Sequence, residues 1–104
     1  MPKLKKILVG SYFFIKKTGF VEKTVGNETV IVPLVGKVAQ MEKVFSLNEI
    51  GSFIYNCLDT QQTIDNIIEL ILNEFEIDKN TAQGDLELFL NKAVEIGIIE
   101  KRPN

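Results

Sequence analysis

The sequence predicts an α+β fold of winged-helix-like order, a small N-terminal antiparallel β-sheet followed by a three-helix bundle. Two observations predict it. Hydrophobic periodicity changes once along the 104 residues, near residue 48, from β-rich runs to apolar stripes at helical spacing. Each stripe also follows a side chain suited to cap a helix: Asn48, Thr63 or Asp78. The length suits one domain, which at this size buries about two-thirds of its unfolded surface.

Residues 1–17 open the chain with five lysines bracketing nine mostly apolar residues. Three readings compete here: an extra strand covering a sheet edge, a self-association segment, or a membrane-surface anchor. No 3.6-residue moment supports an interfacial helix, and the strand is the preferred reading. Phe20–Val25 and Glu28–Leu34 follow as β-rich runs joined by Gly26-Asn27, a two-residue connection that tolerates positive φ and signals a hairpin. Pro33 has no N–H, which places it at the end or edge of its strand. After Gly36, Val38–Leu47 carries a third β segment, folded near Glu42-Lys43.

The first helix is expected after Asn48, with Ile50, Phe53, Ile54, Cys57 and Leu58 on one face. Thr63 starts the second, whose stripe is Ile64, Ile67, Ile68, Ile71, Leu72 and Phe75. Asp78 starts the third, with Ala82, Leu86, Phe89, Leu90 and Ala93 inward and Gly97 as its left-handed terminator. Gly84 interrupts that helix at a cost of about 1 kcal/mol relative to Ala. The expected organisation is an N-terminal extension (1–16), a domain (17–100) and a short tail (101–104).

Composition excludes several functions. The chain has no histidine, which removes His-based acid–base catalysis, His-activated nucleophiles and His metal sites. Its single cysteine, Cys57, rules out an internal disulfide, fits a cytoplasmic protein and cannot build a structural zinc site. The seven glycines are scattered singly, so there is no phosphate-cradling loop. No apolar run approaches the ~20 residues of a membrane helix. The net charge of −2 divides into +5 over residues 1–43 and −7 over residues 44–104, a dipole that steers association without naming a partner. No enzyme, cofactor, metal or membrane is expected.

Several stretches resemble one family. Lys17–Leu34 looks like its opening hairpin. Val44-Phe-Ser-Leu-Asn-Glu-Ile-Gly-Ser-Phe-Ile-Tyr55 is similar to its most recognisable stretch, the entry into the first helix. Leu58-Asp59 with Thr63–Ile68, Phe75–Asp78, Asp85–Leu90 and Gly97–Glu100 complete the likeness. The family is the PqqD-like proteins, named for coenzyme PQQ synthesis protein D, whose fold is the RiPP (ribosomally made peptide) precursor recognition element. The chain departs from the family pattern at Thr60 and at Gln40-Met-Glu-Lys43.

The resemblance implies a peptide chaperone that captures the leader of a ribosomally made precursor and presents it to a maturation enzyme, often a radical SAM protein. The leader would add as a strand to the third β segment, against the third helix. By position, Val38, Met41, Val44, Phe45, Ser46 and Leu47 supply the edge, and Leu86, Phe89, Leu90 and Ala93 the groove wall. The alternative readings are a winged-helix DNA-binding regulator and a self-association module, a homodimer through a strand edge or the N-terminal segment. The third helix argues against nucleic acid, because Asp78, Asp85, Glu87 and Glu95 outnumber Lys79 and Lys92.

Overall fold

The computed structural model describes residues 12–36, 38, 39 and 43–103. Within these, the chain forms β1 (Tyr12–Lys16), β2 (Phe20–Val25), β3 (Glu28–Val35), β4 (Val38–Ala39), β5 (Phe45–Leu47), α1 (Glu49–Cys57), α2 (Ile64–Glu74), α3 (Lys79–Ile96) and β6 (Ile99–Pro103). This is a mixed α+β fold with antiparallel pairing throughout and three helices. Met41, among the expected edge residues, and residues 1–11 of the expected extension lie outside the described residues.

The hairpin β2–β3 pairs Val25 with Glu28 across Gly26-Asn27, and Gly26 has the positive φ of +62° that the turn requires. β3 is the central strand. Beyond its turn β4 pairs back on it, Val38 with Val35 and Ala39 with Leu34, and β5 then pairs Phe45 with Ile31 and Leu47 with Thr29. Val32 and Pro33 fall between these two pairings, and the third β segment is split into β4 and β5. Pro33 sits where the ladder needs no donor. The Leu34 N–H reaches back to Gly19 on the β2 side, so by alternation the Pro33 nitrogen faces the gap between β4 and β5. A proline is accommodated inside a strand this way, rather than at its end.

The sheet is not confined to the N-terminal half. β6 follows the helices and pairs with β1, Tyr12 opposite Pro103 and Lys16 opposite Ile99. Residues read from sequence as extension and tail thus share one ladder. The other side of β1 is held by the α1–α2 connection: Phe14 and Gln62 exchange backbone bonds of 2.9 and 3.1 Å, and the Lys16 N–H donates to the Leu58 carbonyl. Phe14 is buried, and the Lys16 ammonium bridges Asp59 Oδ1 at 2.6 Å and Glu22 Oε1 at 3.1 Å over the Tyr55 ring. The sequence pattern missed this pairing because β1 and β6 are the most distant segments of the domain.

The three caps act as expected. The Asn48, Thr63 and Asp78 side chains accept from the N–H groups of Gly51, Asn66 and Thr81 at 2.9, 3.2 and 2.7 Å. Gly97 closes α3 in the left-handed region, with its own N–H and that of Ile98 bonded to Ala93 and Ile98 fully buried. The core joins Ile31 of β3 to Ile54, Tyr55 and Leu58 of α1, Ile67 and Ile71 of α2, and Leu86 and Leu90 of α3. The buried face of α1 runs through Gly51, Ile54, Tyr55 and Leu58, rotated from the expected stripe, with Ile50, Phe53 and Cys57 only half-buried. Tyr55 joins the core cluster, with the Lys16 ammonium 4.5 Å from the centre of its ring.

Two outcomes are expected from these elements. A Cβ at Gly84 would meet nothing within 4 Å, so Gly84→Ala should stabilise the protein by about 1 kcal/mol through helix propensity, read as a higher urea midpoint at unchanged slope. The Thr81 backbone bond holds the Asp78 carboxyl below its ordinary value of 3.8. The stability this supplies is fully present above that unfolded value and is lost as pH falls through the lower folded one. Urea midpoints measured from neutral pH down to about pH 2 should therefore fall less steeply in Asp78→Asn than in the wild type.

Candidate peptide-binding edge and groove

The site grows from the junction of β5 and α1. Asn48 leaves β5 in extended geometry and caps α1, while the Ser52 hydroxyl donates to the Leu47 carbonyl at 3.2 Å. Gly51 then faces α3. A Cβ there would stand 3.5 Å from the Phe89 ring, an ordinary contact, and 3.1 Å from Asn48 Oδ1, a tight one. The missing side chain therefore chiefly leaves room for the Asn48 cap, and anything larger than a methyl group would meet Phe89. The motif Leu47-Asn48-Glu49-x-Gly51 is accounted for as a cap plus a close approach.

β5 presents an outer edge on which no strand pairs among the described residues. By the alternation that sets Leu34 toward β2, Thr29 and Ile31 turn their backbone groups toward β5, and the N–H and C=O of Ser46 turn outward. Phe45 and Leu47 pack on the core from the inner face, whereas Val44 and Ser46 are exposed. Val38 of β4 is also exposed. The outer edge of β2 is unpaired as well among the described residues, but Glu22 and Lys23 at mid-strand make it a poor template.

Beside this junction lies a groove of about 530 Å³ lined by Asn48, Ile50, Gly51, Asp85, Leu88, Phe89 and Lys92. Its α3 wall is the stripe at positions 85, 88, 89 and 92, one continuous helix face. Of the four wall residues named from the sequence, only Phe89 lines this groove. Leu86, Leu90 and Ala93 are at most 4% exposed and belong to the core, because the apolar stripe of a helix turns inward first. Sequence reasoning missed Leu88, which is 73% exposed. The signal was there: Leu88 is an apolar residue out of phase with the stripe that runs from Ala82 to Ala93.

The buried Tyr55 hydroxyl, pushed up to about 12 by desolvation and by Glu22 and Asp59, stays protonated. Burial and Asp59 likewise push the half-buried Cys57 thiol up, so the thiolate is scarce at neutral pH. Among the described residues no three Cys, Asp or Glu side chains gather as a metal would need, and no helix is long and apolar enough to cross a membrane.

An open strand edge beside a helix-lined groove defines a small α+β binding domain. A family model described as coenzyme PQQ synthesis protein D (PqqD) matches residues 28–99, and the chain belongs to that family. A search of curated protein sequences returns no match. Among solved structures the fold is similar to that of "TbiB1 in Complex with the TbiA(beta) Leader Peptide", at 24% identity and a TM-score of 0.68, over 83% of this chain and 94% of that one.

Replacing Gly51 by Leu should force the Phe89 ring out of place. A loss of about 1–3 kcal/mol of stability is expected from overpacking, measured by urea denaturation.

Proposed function

We propose that this protein is a non-catalytic peptide chaperone of the reducing cytoplasm. It captures the leader of a ribosomally made precursor by strand addition to β5 and presents it to a maturation enzyme of the radical SAM type. The observation that carries this reading is the outward-facing Ser46 backbone next to the Gly51–Phe89 groove. An extended segment can hydrogen-bond to the edge there while its side chains enter the groove. Family membership supports the reading, as does the structural neighbour, which is bound to a leader peptide. The unit proposed to do this is residues 17–100, a winged-helix-like domain strapped by β1. The proposed contacts are Val38, Met41, Val44 and Ser46 along the edge and Phe89 in the groove. Phe45, Leu47, Leu86, Leu90 and Ala93 support them from beneath.

The test is an amide-resolved NMR titration with short peptides encoded beside the gene. Shifts should concentrate in residues 38–47 and along 85–92 and change little between low and high salt, since backbone pairing is not screened as phosphate contacts are. Peptide titrations that leave these signals unmoved up to solubility would overturn the reading. Concentration-dependent broadening of the same edge would then favour a homodimer.

A further inference from the structure

We infer that Asp85 and Lys92 select the bound segment by charge, taking one whose apolar side chain is flanked on the same face by a basic residue on one side and an acidic residue on the other. This rests on the peptide-binding reading above and specifies the ligand.

The wall of the groove reads Asp85, Leu88, Phe89, Lys92, an apolar pair between opposite charges. Seven helical residues separate the charges by about 10 Å along the axis. A strand lying in the groove repeats its same-face side chains every ~7 Å. Residues i, i+2 and i+4 therefore span the stripe, the middle one over Leu88 and Phe89 and the outer two within reach of Asp85 and Lys92. Both wall charges are available for this. The ion pairs among the described residues join Lys16 to Glu22 and Asp59, and Arg102 to Glu100, and leave Asp85 and Lys92 unpaired. Leu88 lacks cover: at 73% exposed it is the most exposed large apolar side chain among the described residues. Asn48, Ile50 and Gly51 form the opposite wall, so among the described residues no other charge lines the groove. Opposite charges at the two ends also fix the direction of the bound segment, because a reversed peptide sets like charges together.

The test is selection of a display library of random ten-residue peptides against the full chain. The wild type should enrich an apolar residue with a basic residue two positions away on one side and an acidic residue two positions away on the other. Neutralisation in Asp85→Asn or Lys92→Gln should weaken the matching charge preference about threefold, the size of an exposed ion pair. The double variant carrying Asp85→Lys and Lys92→Glu should invert the order of the two charges. Apolar enrichment without charge preference, or an order unchanged in the double variant, overturns this inference and leaves peptide capture standing. A library in which nothing is enriched overturns peptide capture and this inference with it. All three variants alter surface positions, and circular dichroism with matched urea midpoints establishes that each is folded.

Discussion

Position 51 carries no side chain, and the geometry of the site follows from that. A Cβ there would crowd the Asn48 cap at 3.1 Å and meet the Phe89 ring at 3.5 Å, so nothing larger than a methyl group fits between α3 and the first turn of α1. That turn is fixed in its own right, since Asn48 caps it and Ser52 ties it back to the last residue of β5. The strand edge and the helix wall are therefore two sides of one junction. The two stripes of α3 differ by phase: one packs in the core, and the one beginning at Asp85 lines the groove.

A second constraint comes from the ends of the domain. β1 and β6 would each leave open edges alone, but they pair with each other, and β1 is also bonded to the α1–α2 connection. The Lys16 ammonium then binds Glu22 of β2 and Asp59 of that connection. These are partly exposed ion pairs of modest energy, and their consequence is geometric: they hold the hairpin, the strap and the helices in one register. Among the described residues the outer edges of β2 and β6 carry charged side chains at mid-strand, whereas those of the two-residue β4 and of β5 do not.

The local structure was legible in the sequence wherever one residue's chemistry decides it. Asn48, Thr63 and Asp78 cap as their side chains dictate, Gly97 ends α3, and Gly26-Asn27 turns the hairpin. Gly51 lies within the family-like entry into the first helix, but the ring it meets could not be read from the sequence. What escaped the sequence was non-local. The β1–β6 pairing joins segments more than 80 residues apart, and no pattern within either one points to the other. The face of α1 was misjudged because Tyr55 is amphipathic, and its ring lies under a lysine from β1. Leu86, Leu90 and Ala93 lie in the core instead of lining the groove, because an inward stripe of Leu and Ala is the strongest signal a helix gives, and an exposed residue such as Leu88 registers only as an exception to it.

The shortness of β5 decides where recognition must reside. Only Ser46 turns both backbone groups outward from its middle, and two net hydrogen bonds contribute about 1–3 kcal/mol. Micromolar affinity needs about 8 kcal/mol, before the cost of ordering an extended peptide is counted. The strand can set the direction and register of a guest, but it cannot hold one. The remainder has to come from apolar burial in the groove, where covering a side chain such as Leu88 contributes about 1.5–3 kcal/mol, and from the side chains that the guest places against α3. On the proposed reading the sheet supplies a generic handle and the helix supplies the choice, so partners of related proteins should differ most where they face positions 85, 88, 89 and 92.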